Sequence, residues 1–135
     1  MSIRYRIDRR RRFVHVEPRG TLTKKDLFSY QKKVWSRPEV AGFRELVDMA
    51  GVAKVDYESP ASVRELADLA ASMDTPSRPS KLAIVAVSEL HFGLGRMYEA
   101  FRTINPRSSR EVRVFREMAG ALKWLRLPKI ALRGE

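Results

Sequence analysis

Leu82 to Val87 are six consecutive apolar, mostly branched positions, the pattern of a strand covered on both faces and flanked by helical crossovers. A tight turn holding Gly93 and Gly95 is expected after it, opening a helix on which Leu94, Met97, Tyr98, Phe101 and Ile104 recur at helical spacing. Arg96, Glu99 and Arg102 interleave with that stripe and read as its water face. At the start of the chain, Ile3, Tyr5 and Ile7 alternate with charges, and a strand pattern resumes at Phe13 after four arginines. This predicts an antiparallel hairpin with Arg9, Arg10, Arg11 and Arg12 at its tip. Thr23 with Asp26 three residues on can cap a helix, and Leu22 and Leu27 stand where a hydrophobic staple packs. Leu27, Tyr30, Gln31, Val34 and Trp35 continue that helix face until Pro38 ends it.

Arg44 to Met49 reads as a short strand, followed by a loop at Gly51 and a second helix opened by Ser59 and Pro60, with Val63, Leu66, Ala67, Ala70 and Met73 on its inner face. Glu111 to Phe115 alternates as a last strand, and Met118, Ala121, Leu122 and Leu125 line a final helix before Pro128. The order β, β, α, β, α, β, α, β, α with right-handed crossovers predicts an α/β domain with a mixed sheet of about five strands and about four helices. Residues 1–127 are expected to form this domain, and 128–135 a loose tail.

The 135 residues match the usual size of one domain with an ordinary core. The formal charge of +11 is unevenly placed. Thirteen cations face four acids in residues 1–44, two face seven in 45–74, and twelve face five in 75–135. Nineteen of the cations are arginine, but no aromatics interleave with them to make a stacking platform for bases. With no cysteine, disulfides and thiolate metal sites are excluded, and the two histidines lie far apart. No apolar run approaches the roughly 18 residues of a membrane span, and the N-terminus lacks a signal-peptide core, so a cytoplasmic protein is expected.

Three segments carry a family likeness: Leu46 to Ser59 (LVDMAGVAKVDYES), Phe92 to Phe101 (FGLGRMYEAF) and Val112 to Leu125 (VRVFREMAGALKWL). With the element order, they resemble the SpoIIAA-like proteins, a bacterial branch related to the STAS domain of sulfate transporters and anti-sigma-factor antagonists. The likeness runs from about Tyr5 to Leu125. It implies a βα superhelix without known catalysis that works by binding a protein or a small ligand; some relatives are likened to lipid-binding SEC14-type domains. The antagonists' switch pattern, D-L-S-G-V-x-x-x-D-S-S-G, is matched by Asp48, Met49, Ala50, Gly51 and Val52, then Asp56, Tyr57, Glu58 and Ser59. Tyr57 and Glu58 replace the phosphorylatable serine pair, so the resemblance implies a partner-binding loop at Asp56, Tyr57, Glu58 and Ser59 that lacks the phospho-switch. Glu58 before a helix start either supplies a fixed negative charge or is an ordinary helix-start residue.

Other chemistry is sparse. Gly93 and Gly95, with His91 and Arg96, form a candidate anion or ligand site, since N–H groups opening a helix bind anions; the same glycines equally serve close helix packing. Asp48 and Asp56 either join for acid/base work or magnesium, or cap loop N–H groups. Arg9 to Arg12 offer a contact for nucleic acid or an acidic surface, or a solvated turn. Phe92, Tyr98, Phe101, Phe115, Trp35 and Trp124 read as core, with an apolar cleft between helices as the alternative. No catalytic residue, metal or cofactor is expected. A protein partner is the leading expectation, a small apolar or anionic ligand the alternative, nucleic acid a third; a homodimer is allowed.

Overall fold

The predicted hairpin and the later strands join in a single five-stranded mixed sheet. The structure, a computed structural model, describes residues 3–134. In chain order the elements are β1 (Ile3–Asp8), β2 (Phe13–Pro18), β3 (Gly20–Leu22), α1 (Lys24–Val34), β4 (Arg44–Asp48), β5 (Val52–Val55), α2 (Pro60–Ser72), β6 (Ser80–Val85), α3 (Glu89–Ile104), β7 (Arg110–Phe115) and α4 (Met118–Leu125). The main sheet has the order β1-β2-β4-β6-β7, with β1 antiparallel to β2 and the others parallel. β3 and β5 pair in a small parallel sheet of their own.

Side chains alternate between the two faces of each strand. On β2, Val14 and Val16 face the core under α1 to α3, while Phe13 faces the core under α4; on β6, Ala83 and Val85 face α4. The sheet is therefore covered on both sides, as the unbroken apolar run at β6 predicts. The caps follow the sequence closely. Thr23 and Asp26 form a reciprocal capping box on α1, and the Ser59 hydroxyl accepts the Ser62 N–H with Pro60 at the first helical position of α2.

Four expectations need correction. β6 ends at Val85, and Val87 is exposed, because the chain has already turned toward the Ser88 cap of α3. Arg102, expected in water, is 2% exposed, whereas Ile104 is 72% exposed. Asp74, just past the end of α2, takes the Arg102 guanidinium, so that side of α3 is a polar seam rather than a wet face. The segment expected to be loose after residue 127 instead forms a 3-10 turn, Lys129–Arg133, whose Ala131 is fully buried and whose Ala131 carbonyl accepts Arg6 Nη2 at 2.6 Å; Glu135 lies outside the described residues. Finally, β3 and β5 fall in stretches read as connections. Each is three or four residues long with no clean alternation, and only their long-range pairing makes them strands. Gly20 turns the corner between β2 and β3 with φ +62°, a conformation that favours glycine.

His15 is mid-strand as expected and 6% exposed, and its Nε2 has no partner. Burial holds its imidazole below the ordinary 6.5, with Glu17 and Asp48 opposing and Arg6 and Arg4 assisting. The unfolded chain takes up the proton first, so stability falls as pH drops below about 6.5. The urea midpoint should decline from about pH 7.5 to about pH 5.5, and His15→Leu should flatten the decline. An identical pH slope in the variant overturns the assignment.

Candidate functional site

Between the sheet and α1, α2 and α3 lies a cavity of about 120 Å³. Val16, Val47, Leu82 and Ile84 form its floor, each on the sheet face opposite α4. Leu27 of α1, Leu66 and Leu69 of α2 and Leu94 of α3 supply its walls, and Ala70 faces it from α2. α3 lies close on the sheet at Gly95, where a Cβ would meet the Val114 methyls at 3.1 and 3.2 Å. The lining is overwhelmingly aliphatic because three amphipathic helices and alternating strand positions all turn their apolar sides to it.

Polar groups stand at its two ends. At the amino end of the parallel strands, Glu45 is 4% exposed and binds three partners. Its Oε2 accepts the Tyr30 hydroxyl at 2.6 Å and the Trp35 Nε1–H at 3.3 Å, while its Oε1 accepts Arg110, whose guanidinium lies 3.8 Å from the Trp35 ring. Burial and then the Glu45 charge push the Tyr30 phenol well above its ordinary range. Tyr98, also lining the cavity, accepts Arg102 Nη1 at 2.9 Å.

The carboxyl end is different. Tyr57, between β5 and α2, lines the cavity, is 8% exposed, and has no hydrogen-bond partner among the described residues. Its hydroxyl is not one of the polar atoms sealed from solvent without a partner, which among the described residues are His15 Nε2 and Arg110 Nε, so water or a ligand can reach it. Burial first, then the neighbouring Asp56 charge, raises its phenol far enough that it remains an O–H donor at neutral pH. His91, in the first turn of α3, lines the same cavity half-buried.

The loop expected to present Asp56, Tyr57, Glu58 and Ser59 to a partner is therefore split. Asp56 is exposed but its Oδ1 accepts the Lys24 N–H at 2.7 Å; Glu58 is exposed; Ser59 caps α2; Tyr57 turns inward. Asp48 and Asp56 each accept a backbone N–H, from Ala50 at 3.0 Å and Lys24 at 2.7 Å, and no group of three or more acidic or histidine side chains suited to a metal occurs among the described residues. The expected glycine turn is also corrected. α3 begins at Glu89 with Ser88 as cap, and Phe92 N–H already donates to the Ser88 carbonyl at 2.9 Å, so Gly93 and Gly95 lie inside the helix with no free N–H cradle. Gly93 has nothing within 4 Å of a built Cβ, and Arg96 pairs with Glu99 at 3.5 Å on the outside. Of that predicted group only His91 and Gly95 reach the cavity.

Arg9 to Arg12 do form the hairpin tip, but they are engaged locally. Arg9 binds Glu39 twice, at 3.0 and 3.3 Å, Arg11 binds Asp8 at 3.1 Å, and Arg12 lies over the Phe43 ring at 5.2 Å; Arg10 is exposed. Sequence reasoning did not single out Glu45 or Arg110. The one signal was a carboxylate beside the apolar pair Leu46 and Val47 in a strand, too ordinary at an edge to distinguish from a solvated side chain.

The sequence matches no protein-family model and no curated protein. The fold does match a solved one: the crystal structure of an uncharacterized protein of the DUF3478 family from Shewanella loihica PV-4, described as having a SpoIIAA-like fold. The superposition has a TM-score of 0.57 and covers 92% of this chain and 93% of the other, at 20% identity. The chain has the SpoIIAA-like fold. In it, Tyr57 is a wall of the cavity rather than a surface group. No helix among the described residues of this SpoIIAA-like chain is long and apolar enough to cross a membrane.

Proposed function

We propose that the protein is a non-catalytic binding domain that holds a small apolar molecule between its sheet and α1 to α3. The observation that supports this reading is the cavity itself: about 120 Å³ of aliphatic-walled space beside a fully formed core. An apolar cavity of about 150 Å³ accommodates benzene or xenon, which places this one at the scale of a single small ring. The SpoIIAA-like fold is compatible with binding work. The loop reading favoured by sequence loses ground to this one because Tyr57 is withdrawn from the surface and Asp56 is tied to Lys24.

Toluene titrated into the protein should bind saturably and raise the melting temperature, since a ligand that binds only the native state stabilises it by mass action. Ala70→Leu places a larger side chain in the same space from a position 2% exposed. The variant should fold with equal or greater stability and lose toluene binding. Failure of toluene to saturate the unsubstituted protein, or undiminished binding in the variant, removes the proposal.

A further inference from the structure

Resting on the cavity as a binding site, we infer that its ligand is a neutral, single-ring molecule bearing one hydroxyl group, of the phenol class, with that hydroxyl directed to Tyr57. Three observations converge on this class. The volume of about 120 Å³ matches a single ring. No lysine or arginine lines the cavity, and the one charged lining residue is Glu45, a carboxylate whose oxygens are already taken by Tyr30, Trp35 and Arg110. An anionic ligand would thus lose its hydration without gaining a cation, and a cationic one would find its only counter-charge engaged. Arg96 and Lys24, the cations flanking the carboxyl end, point to Glu99 and Glu65 outside.

The third observation is the Tyr57 hydroxyl itself. The Tyr57 residue is 8% exposed and lines the cavity, and its hydroxyl makes no hydrogen bond to the described residues while staying within reach of solvent. An O–H donor in such a place discriminates for an acceptor and against a hydrocarbon of the same shape, because a hydrocarbon that displaces its water leaves it unpaired. A ligand hydroxyl supplies that acceptor, and it also carries a proton of its own to donate. His91 is at the same carboxyl end, because α3 follows β6 as the Tyr57 segment follows β5, and its side chain likewise has no protein partner among the described residues. An imidazole ring nitrogen that carries no hydrogen is an acceptor for that proton.

Calorimetric titration with p-cresol, toluene and benzoate separates this inference from the reading it rests on. The expected result is p-cresol binding about tenfold more tightly than toluene, with benzoate weaker than both. Tyr57→Phe should lower p-cresol affinity about tenfold, to the level of toluene. Toluene titrated into the same variant reports whether the cavity survives the substitution. If it does not, the Tyr57 ring-carbon resonance of ¹³C-tyrosine-labelled protein decides, and it should move with p-cresol and stay in place with toluene. Equal affinity for p-cresol and toluene, preferred binding of benzoate, or a Tyr57 signal indifferent to p-cresol overturns the ligand class while leaving the apolar cavity in place. Failure of all three probes to bind overturns both.

Discussion

Replacing Asp74 by alanine is expected to destabilise the protein by about 3 to 5 kcal/mol, the usual cost of removing one partner from a buried ion pair. Asp74 and Arg102 have side chains only 5% and 2% exposed, and the carboxylate joins three segments. It accepts Arg102 from α3, the Ser109 N–H at 2.9 Å and the Ser108 hydroxyl at 3.5 Å from the loop before β7, while itself standing at the end of α2. Without it, the guanidinium keeps only the neutral oxygens of Tyr98 and Ser108 at 2.9 and 3.0 Å. A buried cation facing neutral acceptors alone is the expensive state, so the loss exceeds that of the hydrogen bonds counted singly. Urea unfolding of Asp74→Ala against the parent protein measures it. Because stability of an average domain is about 5 to 15 kcal/mol, the variant should sit near the edge of folding. A change below about 1 kcal/mol would mean that water reaches Arg102 and that the seam between α2 and α3 is wet.

A comparable loss, about 3 to 5 kcal/mol, is expected for Glu45→Ala. Here the orphaned groups are Arg110, whose side chain is 9% exposed and whose Nε already lacks a partner, and the buried hydroxyl of Tyr30. Removing the charge pair together is predicted to be milder: Glu45→Leu with Arg110→Leu should be more stable than Glu45→Ala alone, since the buried cation leaves with its counter-ion. Equilibrium unfolding of the three proteins gives the comparison. A double variant less stable than Glu45→Ala contradicts the assignment of the cost to the unpaired arginine. The same substitutions bear on the cavity, because Glu45 and Tyr30 are its amino-end lining.

Local signals were readable in advance wherever one short stretch of chain contained the whole cause. The Thr23 capping box, the Ser59 and Pro60 start of α2, the hairpin around the arginines and the doubly covered β6 each depend on residues within a few positions of one another. The start of α3 was misplaced because two glycines look like a turn, whereas the Ser88 cap lies five residues earlier than Gly93 and is a sufficient helix start. The loop at Tyr57 was misread for another reason. A tyrosine between two acids reads as exposed, and nothing nearby in sequence reveals that it joins the core and lines the cavity. Arg102 and Glu45 were unreadable on the same ground, since their partners lie 28 and 65 residues away and an unpaired charge is ordinarily a surface residue.

Hydrophobic periodicity and capping residues, which act over one or two turns of helix or a single strand, were enough to establish the α/β class, the element order and the two-sided sheet. Pairing across the chain decided everything that gives the cavity its character. It made strands of β3 and β5, buried two charge clusters, docked the C-terminal turn under Arg6 and turned Tyr57 inward. The physical reason is that burial of a polar or charged group is favourable only when its partner arrives, and that partner is delivered by the fold rather than by the neighbouring residues.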